Sequence, residues 1–370
     1  MIARRGAAAL LFVVLAGAAC RKGEDDPGVA ADTKAKAGRA LRDARVPGIG
    51  YAVVTRERVA AGGVGVADEG SRAAVDGATV FEAASIAKTV IAACVMQLVE
   101  EGRLDLDADL GTYVGFAVRH PRYPEPITLR MALTHRASLR DRQDELVARR
   151  EDATLAGFLE RYVRGGRTEA FLDARPGTST SYSNVGAALA ALAVERVAGE
   201  SFDDHATRRI FVPLHMTRSG WTAERGAAAP HAHRDGRFVA LPQPSHAVYP
   251  VVDLRSSAHD LARFARTILR EGELDGARVL SAASVRAMLA ADAGDADQAL
   301  TWQLRTIGGR RVAGHEGEDA GATTALFLDR AAGTGVVVLA NGDAFGSGDH
   351  ARAAAIQALL SDLLATDLRP

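Results

Sequence analysis

Apolar positions fall into a few runs whose spacing points to the elements. Residues 48–55 and 59–66 are β-rich stretches joined by a charged turn, and they predict a hairpin. Residues 85–101 are apolar almost all round until the last turn, the pattern of a buried helix, and Gly102 ends it. From 104 to 249 the pattern is mostly helical with loops, clearest at 127–135, 155–162 and 184–199. Ser257 to Asp260 form a capping box that opens a helix through Leu269. Beyond it come a short helix at 284–289, strands at 300–306, 311–314, 324–329 and 335–341, and an amphipathic helix at 349–364. This order predicts an α+β fold. An antiparallel sheet flanked by helices is built from both chain ends (about 37–103 and 250–365), with a mostly helical inserted lobe (about 104–249) and a cleft between the lobes.

The first 20 residues stand apart. Arg4 and Arg5 precede an apolar run from Ala7 to Ala19, and Cys20 follows. A positive start, a short apolar core and small residues before a cut point make an export signal. The run is too short for a transmembrane helix, which needs roughly 20 apolar residues. Leu15-Ala-Gly-Ala-Ala19 before Cys20 resembles a bacterial lipobox, with Gly17 in the place usually taken by Leu, and makes Cys20 the expected lipidation site. Residues 21–36 are polar and charged and read as a flexible tether, leaving 37–365 as the folded body. The expected location is periplasmic, or at a bacterial membrane through a lipid on Cys20.

The chain has 370 residues, 48% hydrophobic and 25% charged, with net charge −1, a globular composition. That balance offers neither a basic face for nucleic acid nor a polybasic surface for membranes. With Cys20 lipidated, Cys94 has no partner and is expected as a buried free thiol; a disulfide framework and a cysteine zinc site are excluded. His231-Ala-His233 lies in a Pro/Ala-rich stretch without nearby carboxylates and reads as a surface loop, not a metal site. Gly48-Ile-Gly50 lacks the third glycine of a dinucleotide loop, and no Gly-x-Ser-x-Gly elbow occurs. Neither cofactor nor metal is expected.

The basic residues change the picture. Of 45 Lys and Arg, only Lys22, Lys34, Lys36 and Lys88 are lysines, and the first three fall in the signal and tether. Lys88 is then the one lysine of the expected folded body, in an apolar helix. Arginine keeps its proton in proteins, whereas lysine gives it up when desolvated. Ser85, three residues earlier, shares its helix face and stands near the helix N-terminus, where backbone N–H groups favour developing negative charge. A neutral Lys88 amine could take the Ser85 proton and activate it as a nucleophile. Ser-x-x-Lys alone arises often by chance; the lysine count and the buried helix give it weight.

At these residues the chain resembles the serine β-lactamase and penicillin-binding protein superfamily, which uses a Ser-x-x-Lys motif. It is most similar to the class-C-like branch that includes D-amino-acid peptidases and carboxylesterases. The resemblance runs from about 46 to 341. Phe81-Glu-Ala-Ala-Ser-Ile-Ala-Lys88 resembles the first motif with its flank, and 98–106 the stretch after it. Residues 127–135 resemble the helix that leads into a turn, here Thr134-His-Arg-Ala-Ser-Leu139. Pro176-Gly-Thr-Ser-Thr-Ser-Tyr-Ser-Asn184 looks like the Tyr-x-Asn motif, and His315-Glu-Gly317 takes the place of Lys-Thr-Gly. The resemblance implies that Ser85 attacks an acyl carbon while Lys88 and Tyr182 share general-base and general-acid duty. With a normal pKa near 10, the tyrosine needs a cationic amine beside it. It implies substrate contacts for Asn184, which would also orient Lys88, and for His315 and Gly317, the glycine admitting the substrate backbone. The backbone N–H of Glu318 would join that of Ser85 in an oxyanion hole. His135 is expected to be structural, hydrogen-bonding a turn near the site.

One departure bears on the substrate. The family commonly follows His-x-Gly with small neutral residues, whereas His315-Glu-Gly-Glu-Asp-Ala-Gly321 carries three carboxylates. A Lys opening this motif helps bind the carboxylate of β-lactams and peptidoglycan stems; a neutral His followed by acids should bind one poorly. The expected activity is hydrolysis of an ester or amide through an acyl-serine, on a small-molecule or peptide-like substrate, with weak or no β-lactamase activity. A neutral ester or a substrate with a free amine suits the acids better. The competing class is a non-catalytic, membrane-tethered binding protein on the same fold, because acids beside the oxyanion strand could disturb a developing anion.

Overall fold

Runs from both ends of the chain meet in one sheet. The computed structural model describes residues 27–147, 149–164, 167–222, 226–243 and 245–368; the expected export signal and Cys20 lie outside the described residues. The strands of the main sheet are Gly48–Thr55 (β1), Val59–Gly65 (β2), Gln303–Ile307 (β3), Arg310–Asp319 (β4), Ala322–Asp329 (β5) and Thr334–Ala340 (β6). They lie in the order β2-β1-β6-β5-β4-β3, every neighbour antiparallel. The chain ends are joined by β1 and β6, in register from Ile49 opposite Ala340 to Thr55 opposite Thr334.

Both faces of the sheet are covered, which is why β5 and β6 are almost continuously apolar. Val336 and Val338 point to one face with Ile49, Tyr51 and Phe327, under the helices Pro27–Asp43 (α1) and His350–Leu364 (α5). Val337 and Leu339 point to the other, into the large core shared with the helices Ala87–Glu100 (α2), Asn184–Ala198 (α3) and Ala258–Leu269 (α4). The fold is α+β with an antiparallel sheet flanked by helices.

Three expectations need correction. The tether does not reach Lys36: the chain is helical from Pro27, and Ala37, Ala40 and Ala44 pack with Ile356, Leu359 and Leu363 of α5. Lys36 Nζ donates to Thr366 Oγ1 at 3.1 Å, so Lys34 and Lys36 belong to the folded body too. What sets Lys88 apart is burial, 0% exposed. His231 is not in a surface loop: His231–Arg234 pairs with Arg237–Ala240, and the His231 ring is buried against the carbonyl of Ala229. Finally, β4 extends to Asp319, five residues past the expected end at Gly314, carrying the His315 motif on a strand.

In the helical lobe the caps follow the sequence. Thr128, Thr154 and Ser183 each accept the backbone N–H three residues on and open the helices at Leu129, Leu155 and Asn184. The first of these is shorter than expected, Leu129–Leu133, and the chain leaves it through His135 at φ +56°.

Candidate active site

Ser85 sits where the buried helix begins. Val80–Glu82 leads through Ala83 into a single 3₁₀ turn, Ala84–Ile86, that continues as α2. Ala84 has φ +46°, a left-handed conformation that costs an alanine about 1–2 kcal/mol. The surroundings hold it: Thr324 of β5 donates its hydroxyl to Ala83 O at 2.9 Å. The kink brings Ser85, 8% exposed, to the cleft while the body of α2 stays buried.

Two side chains converge on the Ser85 hydroxyl. Lys88 Nζ lies 2.9 Å from Ser85 Oγ and donates to Val251 O at 3.0 Å. Tyr182 donates its hydroxyl to Ser85 Oγ at 2.9 Å. Burial lowers Lys88 from 10.5 to about 7, against the opposing pull of Asp141 and Asp319. A lysine near 7 presents a lone pair in a large share of molecules at neutral pH. Tyr182 is 43% exposed along its ring, but its hydroxyl end is enclosed, and that desolvation pushes the phenol above its ordinary value. It is a proton donor here rather than a phenolate. The expected neighbouring amine is in place, with Lys88 Nζ 5.1 Å from the Tyr182 ring centroid.

Asn184 is the first residue of α3 and lines the same cleft, but its expected contact with Lys88 is absent among the described hydrogen bonds; Val251 O takes that place. Its Oδ1 is buried without a partner. His315, 2% exposed, also lines the cleft, with ring centroids 5.9 Å from Tyr182. Its Nδ1 meets the carbonyl of Glu316, an acceptor only, so Nδ1 carries the proton and Nε2 keeps a lone pair with no partner. Burial and then the Lys88 charge lower His315 to about 3, and His135 likewise.

Gly317 leaves no room for a side chain. A Cβ there would stand 2.1 Å from Thr324 Oγ1, 2.8 Å from Ala83 O and 3.0 Å from Ser85 N. The Thr324 hydroxyl and the protein's own backbone take up that space, and this contact docks β4 against the Ser85 turn. Because β3 pairs only with Arg310 to Gly314, the β4 edge from His315 to Asp319, including Glu318, has no β3 strand beside it and borders the cleft of about 850 Å³.

Asp141 completes the site and was missed in the sequence. Its carboxylate accepts from Ser183 Oγ at 3.0 Å, Asn184 N at 2.7 Å and Val185 N at 3.2 Å, a remote cap on α3. His135 holds the residues before it: its carbonyl accepts from Ser181 N at 2.8 Å, its Nδ1 from Ser183 N at 3.2 Å, and its ring lies 4.6 Å from that of Tyr182. Tyr182 is thus fixed from both sides, His135 structurally as expected.

A family model described as Beta-lactamase matches residues 31–361. The chain belongs to the beta-lactamase family. It is 31% identical over 325 residues to Penicillin-binding protein 4 of Amycolatopsis lactamdurans, covering 80% of this chain and 81% of that protein. It is 26% identical over 184 residues to Protein flp of Staphylococcus aureus, spanning 36% of that longer protein. Among solved structures, the octameric penicillin-binding protein homologue from Pyrococcus abyssi superposes with a TM-score of 0.77 at 22% identity, covering 91% of this chain and 78% of that one. D-amino acid amidase from Ochrobactrum anthropi SV3 gives 0.74 at 20% identity, covering 90% and 97%. These likenesses establish the beta-lactamase fold.

Proposed function

We propose that this beta-lactamase-family chain is an exported serine hydrolase that cleaves an ester or amide through an acyl-serine, with Ser85 as nucleophile. The observation that carries it is one hydroxyl, Ser85 Oγ, at 2.9 Å from both a buried lysine near pKa 7 and an enclosed phenol. Neutral Lys88 takes the Ser85 proton as Oγ bonds to the acyl carbon. The N–H groups of Ser85 and Glu318 stabilise the oxyanion. Tyr182, a proton donor in this environment, protonates the departing amine or alcohol as its bond to the acyl carbon breaks, and is reprotonated through Lys88. Water then hydrolyses the acyl-serine by the reverse proton path. Asn184 Oδ1, buried and without a partner, suits a substrate N–H. No lysine opens the His315 motif, so β-lactam carboxylates bind weakly and β-lactamase turnover is low. Export, and a lipid on Cys20, belong to the same proposal.

The test is labelling with a fluorophosphonate and turnover of p-nitrophenyl acetate. An adduct on Ser85 and a fall of roughly a thousandfold or more in Ser85→Ala support the enzyme. Absence of both adduct and turnover leaves the non-catalytic binding protein, and efficient penicillin hydrolysis overturns the low β-lactamase turnover.

A further inference from the structure

The carboxylates of the cleft are not all balanced by protein cations. Glu316, Glu318, Asp319 and Asp343 line it, and among the described residues no Lys or Arg does. Glu316 is neutralised by Arg305 at 2.6 Å. Behind Asp319, Glu82 is 5% exposed; burial first, and then Asp319 beside it, push it well above the usual carboxylate range, with Arg255 opposing at 3.4 Å. Glu82 and Arg255 thus lie together beside Asp319. His246 adds to that balance, with Nδ1 2.6 Å from Asp253 and Nε2 3.9 Å from Asp319. Glu318 and Asp343 are left over. Neither has an ion pair among the described residues. Arg352 senses Asp343 only at longer range, its guanidinium engaged with the carbonyls of Ala44 and Arg45. Burial first, and then the like charges of Asp343, Asp319 and Glu316, raise Glu318.

A second observation is independent of that charge. His315, buried and lining the cleft, keeps an Nε2 lone pair with no donor, and Asn184 Oδ1 is also buried without one. Buried acceptors without donors are costly in a finished site, about 1–3 kcal/mol each. The cleft therefore asks for a ligand rich in N–H and positive in charge, where Lys-Thr-Gly relatives in the family would meet a carboxylate.

We propose that Glu318 and Asp343 form an ammonium subsite on the cleft rim, so that the ester or amide this chain cleaves carries a protonated amine. The proposal rests on the acyl-serine reading for cleavage, but not for binding. Its test uses the p-nitroanilides of glycine, β-alanine and 4-aminobutanoate, which vary the distance of the amine from the acyl carbon, each beside its N-acetyl form. For at least one tether length the free amine is expected to exceed the acetylated form about tenfold in kcat/KM. That ratio should fall towards one in Glu318→Gln and Asp343→Asn, and with rising salt. The same pairs are measured for binding to Ser85→Ala by calorimetry. Equal handling of amine and acetamide at all three lengths, or a ratio untouched by both substitutions, overturns the subsite. If neither the anilides nor p-nitrophenyl acetate turn over, the acyl-serine reading fails alone, and the binding ratio on Ser85→Ala still decides the subsite.

Discussion

Replacing Lys88 with methionine tests whether its burial is as consequential as the geometry implies. The two side chains are similar in length, so the fully buried slot stays filled. Lowering an ammonium from 10.5 to about 7 is a bias of about 5 kcal/mol toward the neutral amine. The sign follows from proton counting. Between pH 7 and 10.5 the unfolded chain binds more protons at this lysine than the folded one, so stability rises with pH across that window. Below 7 the whole penalty of about 5 kcal/mol is present; above 10.5 it is gone. Lys88→Met removes the penalty but leaves Val251 O without its donor, a loss of about 1–3 kcal/mol at every pH.

The variant should therefore be more stable than the parent by roughly 2–4 kcal/mol at pH 6 and less stable by about 1–3 kcal/mol near pH 10.5. Urea unfolding at the two pH values measures this as a midpoint difference that changes sign at similar slope. Groups that titrate equally in both proteins cancel in the comparison. A variant that is destabilised by the same amount at both pH values would falsify the reasoning, since that is the behaviour of a lysine that stays charged and paired throughout.

Other outcomes follow from the same site. The pH profile of kcat/KM should fall on the acid side through about 7 as Lys88 gains its proton, with no limb from His135 or His315, which are held near 3. Asp141→Asn should lower kcat and move that limb to lower pH, because Asp141 raises Lys88 as well as capping α3; a purely structural role would lower the melting temperature and leave the limb in place. Gly317→Ala should slow fluorophosphonate labelling of Ser85 about a hundredfold by pushing β4 off the nucleophile turn. Adding Thr324→Ala to it should not restore labelling, because Ala83 O and Ser85 N still meet the new methyl.

What the sequence discloses depends on how each residue acts. Ser85, Lys88 and Tyr182 carry their chemistry on their own side chains within short motifs, and the structure brings all three together. Asp141 acts on backbone N–H groups more than 40 residues away, and no periodicity or local spacing records such a cap. Val251 contributes a carbonyl that any residue would carry. The end of β4 was hidden because Glu316, Glu318 and Asp319 break the apolar run, although burial still alternates there, with His315 and Gly317 buried and Glu318 exposed. The first turns of α1 were hidden because a narrow stripe of alanines among charges has the composition of a linker. Correcting α1 also changes the argument from lysine scarcity. Lys36 bridges Asp32 at 2.7 Å. Lys88 is 0% exposed and has no ion pair among the described residues, only a hydroxyl and a carbonyl. Rarity drew attention to Lys88, but desolvation is what lowers its amine to about 7, and a lysine as common as any other would be lowered equally in that slot.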